Sequence, residues 1–238
     1  MVSAHNVQAH IRNVTPFTVA ILLSEGMTAG DAIGPYEVLR FIPGATIQFV
    51  AEAPGPKRMD SGFLTLVADY SLEEAPHPDI IVVAPPPPGS ASYTNDRLLS
   101  WLRNAHETAQ WTTSVCAGSL LLGEAGLLHG KRATSNLWVL DELARFGATP
   151  CPDQRYVQDG KIITAAGVWA GIDMALYLAS QIAGDEVAQA IQLLMEYDPQ
   201  PPFDTGSPAK APPAVANLAQ TLVQEFIAKT IERNTQAS

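Results

Sequence analysis

The sequence predicts an α/β fold built on a mostly parallel sheet with helices on both faces. Three observations predict it. Short continuous apolar runs, residues 17–23 and 80–84, lack polar alternation, as strands buried on both faces do. Amphipathic stretches of helical length fall between such runs, and that alternation covers a parallel sheet on both sides. Finally, the β-branched stretch Trp111-Thr112-Thr113-Ser114-Val115 gives way at Cys116 to Ala117-Gly118-Ser119-Leu120-Leu121-Leu122, so a cysteine stands where a strand turns sharply into a helix.

The elements follow in order. Residues 17–23 form the first strand, ending in Ser24-Glu25-Gly26. Gly34-Pro35 predicts a helix start running through Tyr36 to Ile42, because proline lacks only an N–H that the first turn does not use. Residues 45–51 are the second strand, 54–62 are turn-rich, and 64–67 form a short strand of a side hairpin. Residues 79–84 are the next core strand, followed by the prolines at 85–88. A helix over 95–109 leads into the Cys116 strand and helix. Helices over 137–146 and 170–182 flank a strand pair around 155–157 and 161–164, with Asp159-Gly160 as the hairpin turn. A further helix covers 186–196.

Residues 199–213 carry Pro-Pro twice and read as an extended strap. Over 215–232, Leu218, Leu222, Phe226 and Ile231 recur near helical spacing, so that helix has an apolar stripe that needs a body or another subunit to cover it. Residues 1–16 read as a loose tail, and 17–238 as one domain including the strap and the final helix.

Composition narrows the function classes. With 47% hydrophobic and 16% charged residues, the 238-residue chain has enough apolar material for one sizeable core. A net charge of −10 with only 14 Lys and Arg argues against nucleic acid and gives no reason to expect an anionic membrane, leaving a small molecule as the expected partner. The two cysteines, Cys116 and Cys151, do not make a disulfide framework, and a reducing cytoplasm is the simpler reading. No run approaches the ~18 apolar residues of a membrane helix, and residues 1–16 lack the apolar core of a signal peptide.

The elbow makes Cys116 the candidate nucleophile. Unpaired N–H groups at a helix start stabilise a thiolate and predict a thiol pKa below the free value of ~8.5. A buried, inert cysteine is the alternative. The usual proton acceptor is histidine, but His5 and His10 sit in the tail, His77 in a Pro-rich turn, His106 on the outer face of a helix and His129 in a turn. Carboxylates are better placed. Asp31, in Gly30-Asp31-Ala32-Ile33-Gly34-Pro35, leads into a helix, where it either caps N–H groups or exchanges a proton with Cys116 or substrate. Glu25 also leaves the first strand, though a solvated loop glutamate is its default reading. The tips at 26–31, 85–89 and Cys116 lie at the C-terminal ends of strands and are expected to converge on one pocket.

Together these segments resemble the ThiJ/PfpI superfamily, the class I glutamine amidotransferase-like group, and within it the isonitrile hydratase branch. The residues that carry the resemblance are Thr113-Ser114-Val115-Cys116-Ala117-Gly118-Ser119 with Gly126-Leu127-Leu128-His129-Gly130-Lys131-Arg132-Ala133-Thr134, then Ala170-Gly171-Ile172-Asp173, and Glu196-Tyr197 through Pro201-Pro202-Phe203 to Gly206-Ser207-Pro208. The Asp31-x-x-Gly34-Pro35 tip and the strap narrow it to that branch.

The resemblance implies a flavodoxin-like fold and a homodimer. It also implies cofactor-independent and metal-free hydration of R–N≡C to an N-substituted formamide, with Cys116 as nucleophile and Asp31 as general acid or base. Three features depart from the branch. Pro86 and Pro87 replace two glycines whose N–H groups would hold ligand, Ala117 replaces a threonine, and no histidine stands near Asn136 or Leu137. Ala117, Pro86, Pro87 and Asn136 are accordingly the candidate substrate-binding positions of a remodelled pocket. A sensor built on the same site, with Cys116 oxidised or ligand-bound, is the alternative.

Overall fold

The computed structural model describes residues 14–236 apart from Pro88. Most of the expected tail, with His5 and His10, lies outside the described residues.

The first strand, β1 (Phe17–Leu22), is an inner strand of a seven-stranded sheet. Beside it run β2 (Ala45–Ala51) and the two-residue edge strand β5 (Tyr70–Ser71) on one side. On the other side lie β6 (Ile80–Val83), β7 (Trp111–Ser114), β11 (Ile162–Ala165) and β10 (Tyr156–Asp159). All pairings are parallel except β10 with β11. The apolar run of β1 lacks alternation because both faces are used. Val19 and Ile21 enter one core with α1 (Ala29–Leu39) and α4 (Ala170–Ala183). Ala20 and Leu22 enter the other with α2 (Asp96–Thr108) and α3 (Gly118–Glu124). Each fully buried Leu or Ile in these layers contributes about 1.5–3 kcal/mol relative to exposure.

Several expectations are corrected. The first helix begins at Ala29, and Pro35 lies inside it rather than in its first turn. Its glycines serve helix packing. A Cβ on Gly34 would approach Ile172 of α4 to 3.2 Å, and one on Gly30 would overlap Val168 at 2.4 Å. The turn-rich stretch contains β3 (Gly55–Arg58), which pairs antiparallel with β4 (Thr65–Ala68) as the side hairpin.

The helix expected over 137–146 is instead a turn followed by a 3-10 segment, Leu140–Phe146. Asn136 delays it, since its side-chain oxygen accepts from Trp138 N (3.0 Å) and its backbone oxygen from Val139 N, competing with helical pairing. Asp159 is the last paired residue of its hairpin, so the turn is Gly160-Lys161, with Gly160 at φ 63°.

Two short strands, β8 (Arg132–Ala133) and β9 (Thr149–Pro150), pair with each other. After α5 (Asp185–Leu194), residues 197–212 form neither helix nor strand, as expected of the strap. The last helix, α6 (Pro213–Gln236), exceeds its expected limits at both ends. Of its expected stripe, Leu218, Leu222 and Phe226 are exposed, and the exposed Val215 adds to them. Ile231, also expected in that stripe, has its side chain outside the described set. Among the described residues, no helix is long and apolar enough to cross a membrane.

Candidate active site

The parallel register Val83↔Ser114 brings the ends of β6 and β7 level, and the chain turns at Cys116 directly into α3. Cys116 has φ 57°, one of two non-glycine residues at positive φ among those described. That conformation costs an L-residue about 1–2 kcal/mol and aims its side chain out of the turn. Tight packing enforces it. A Cβ on Gly118 would stand 2.2 Å from the Val83 carbonyl oxygen, so only glycine lets α3 start this close to β6. The Cys116 N–H donates to Ala166 O (2.8 Å), and its carbonyl accepts from Asn136 N (3.3 Å) and Ser135 Oγ (3.0 Å). Ser119 Oγ donates in turn to Ser135 Oγ (2.8 Å), and both serines are buried.

Around the sulfur three groups meet. Asn136 Nδ2 lies 3.2 Å from Cys116 Sγ as a donor, and the Ala117 N–H also faces the sulfur. Asp31 stands on the other side, fully buried in the first turn of α1. The capping reading of Asp31 fails. The N-cap is Thr28, whose hydroxyl donates to Asp60, and neither oxygen of Asp31 accepts from a helix N–H; the group that interacts with its carboxyl as a hydrogen-bond donor is the Cys116 thiol. Burial, reinforced by the charge of Asp60, raises its pKa to about 8.

The low thiol pKa expected at the elbow is likewise corrected. Burial first, and the negative charge of Asp31 second, push Cys116 up to about 12, outweighing Asn136 and the Ala117 N–H, which pull it down. None of the groups that act most strongly on the thiol is a histidine. His77 and His129 are exposed. His106 is half-buried rather than outward-facing, its Nδ1 2.8 Å from Thr112 Oγ1. Glu25 is exposed and accepts from Arg58 N (3.0 Å), a structural task in the hairpin. Cys151 is a second free thiol, its sulfur against Thr149 O.

Pro85, Pro86 and Pro87 are buried beyond β6, beside the elbow, and Pro88 lies outside the described residues. Pro86 and Pro87 present no N–H, but the Pro86 carbonyl accepts from Tyr93 Oη (3.2 Å). Burial raises the pKa of Tyr93, with the charge of Cys116 as the next cause. The 3-10 turn that carries it, Ala91–Thr94, is held by Glu52, which accepts from Ser92 Oγ (3.0 Å) and from Asn95. Sequence reasoning missed Tyr93, Ser119 and Ser135. A lone tyrosine in a polar loop after four prolines was the only available sign of the first, and the adjacency of Ser135 to Asn136 the only sign of the last.

Sulfur, carboxyl and carboxamide thus form one constellation able to move a proton between acid and nucleophile. Among the described residues, no group of three or more His, Cys, Asp or Glu is arranged to hold a metal ion.

The DJ-1/PfpI family pattern matches residues 17–181. An isonitrile hydratase from Pseudomonas putida is 40% identical over 206 residues, covering 85% of this chain and 88% of that protein. Protein DJ-1 homolog A from Arabidopsis thaliana is 28% identical over 189 residues, which is 77% of this chain and 47% of that protein. Among solved structures, a ThiJ/PfpI family protein from Pseudomonas syringae superposes with a TM-score of 0.85 at 34% identity, covering 97% of this chain and 94% of that one. Drosophila melanogaster DJ-1beta, at 21% identity and a TM-score of 0.67 over 76% of this chain and 98% of its own, shares the fold.

Proposed function

The chain belongs to the DJ-1/PfpI family, and from that premise we propose that it hydrates isonitriles to N-substituted formamides, with Cys116 as nucleophile and Asp31 as general acid and base. The observation that carries this reading is the buried carboxyl of Asp31, which caps no helix N–H and is set against the cysteine at the elbow. The chain's 40% identity to an isonitrile hydratase supports the choice of reaction.

With its pKa near 8, Asp31 holds a proton at neutral pH. The isonitrile carbon meets Sγ, and a sulfur–carbon bond forms as Asp31 gives its proton to that carbon and takes the thiol proton. The product is a thioimidate, R–N=CH–S–Cys116. Water then adds to the same carbon while a proton passes to nitrogen through Asp31. The carbon–sulfur bond breaks, sulfur regains a proton, and R–NH–CHO leaves. Asn136 steadies negative charge on the sulfur during attack. Because the attacked carbon is protonated rather than left as an oxyanion, the missing N–H groups at Pro86 and Pro87 cost this chemistry less than they would cost amide hydrolysis.

The test is formamide formation from a panel of isonitriles. Cys116→Ala is expected to abolish it, and Asp31→Asn to slow it ~10²–10⁴-fold, the range for a general acid–base. Pro86 and Pro87 favour a second reading, a ligand or redox sensor on the same site. Failure of the wild type to convert any isonitrile, with activity gained on restoring glycine at 86 and 87, would select it.

A homodimer is part of the proposal. The stripe Val215, Leu218, Leu222 and Phe226 is exposed on a single chain, and a helix of this kind needs a packed face.

A further inference from the structure

The fold shows how it treats a structural tryptophan. Trp101 is 7% exposed, and its Nε1 donates to Ala75 O at 2.9 Å. Two others are left in solvent, Trp138 at 40% and Trp169 at 61%, and both border the Cys116 constellation. Trp138 follows Asn136 by two residues, and its N–H donates to Asn136 Oδ1. Trp169 ends a short loop tied to the nucleophile at its start by the bond from Cys116 N to Ala166 O.

That loop spans the site. A Cβ on Gly167 would lie 3.9 Å from Asn136 Nδ2, and one on Gly30, beside the acid, would lie 3.5 Å from the Trp169 ring. The Trp169 ring therefore stands beside the residue that precedes Asp31, and Trp138 is anchored through its backbone to the carboxamide that faces the sulfur. Cys116 keeps 9% of its surface open. The groups that act most on Cys116 and Asp31 are each other, Asp60 and Asn136, with no cation among them. An anionic substituent gains nothing from these groups, while two exposed indoles offer flat apolar surface that gains by being covered.

We infer that this site selects neutral substrates bearing a bulky apolar or aromatic substituent, which lies against Trp138 and Trp169 while the reacting carbon reaches Cys116. This deepens the isonitrile reading and rests on it for the reacting group. Benzyl isonitrile is preferred over methyl isonitrile by tenfold or more in kcat/KM, in line with the burial of one aromatic ring.

The experiment compares these two isonitriles in hydration. In parallel it compares N-benzylformamide with N-methylformamide as protectants of Cys116 against iodoacetamide, using wild type, Trp138→Ala, Trp169→Ala and Trp169→Phe. The benzyl formamide should protect at a concentration at least tenfold lower. Either alanine variant should cut the benzyl-to-methyl ratio severalfold, and Trp169→Phe should restore most of it. Equal protection by the two formamides, or a ratio unmoved in both alanine variants, overturns the inference. Selective protection without hydration of either isonitrile upholds the inference and sinks the hydratase reading instead.

Discussion

Asp31 and Cys116 face each other in a buried space, where the acid makes ionisation of the thiol harder and the thiol eases that of the acid, but burial outweighs both effects, so at neutral pH the pair keeps both its protons. A resting thiol beside a resting acid suits a reaction that consumes a proton at the attacked atom. It suits less well a site that must store a thiolate between turnovers.

Stability should report the acid. Folding holds a proton on Asp31 that the unfolded chain loses above the ordinary aspartate value of 3.8, so the native state binds more protons between there and about 8. Stability falls as pH rises through that window, by at most about 6 kcal/mol if the whole shift is felt. Asp31→Asn carries no such burden. Its Tm relative to wild type should rise between pH 4 and pH 8, by 5 °C or more as an order of magnitude. A Tm difference that stays constant with pH would place the shift elsewhere.

Alkylation of Cys116 by iodoacetamide should inflect above the free-thiol value, because burial outweighs the donors at the elbow. Asp31→Asn removes the neighbouring charge and should move the inflection down. Asn136→Ala removes the donor 3.2 Å from the sulfur and should move it up, slowing labelling at fixed pH about tenfold per pKa unit. An inflection below that of a free thiol in the wild type would contradict the burial.

Tyr93→Phe should destabilise the protein by about 1–3 kcal/mol, the cost of leaving the buried Pro86 carbonyl unpaired. Chemical denaturation measures it. A loss under ~0.5 kcal/mol would mean that the carbonyl finds another donor.

Sedimentation velocity at micromolar concentration should show a dimer, and Leu222→Asp with Phe226→Asp should shift it to monomer, since both side chains are exposed on one chain. A wild type that sediments only as monomer removes the dimer from the proposal.

The sheet was legible in the sequence because continuous apolar runs such as that of β1 admit few alternatives. The elbow was legible because composition changes abruptly at Cys116. The start of α1 was not, since Gly30 and Gly34 look like turn signals and only the facing Val168 and Ile172 show that they are contact points with α4 and the turn before it. The sulfur's environment was hidden for a similar reason. Local pattern reveals the N–H groups of a helix start, whereas the depth of burial and the approach of Asp31 from another element are properties of the folded chain.

The backbone at Cys116 has a thermodynamic corollary. At φ 57° the position suits glycine better than any side chain, so the usual ranking of substitutions should invert there. Cys116→Gly should be more stable than Cys116→Ala by about 1 kcal/mol. One base change in the codon would relax the turn, and the same change would delete the sulfur. Under the proposed role of Cys116, retention of a β-carbon at that torsion marks a conflict between folding and reactivity, with the sulfur kept at the expense of the turn.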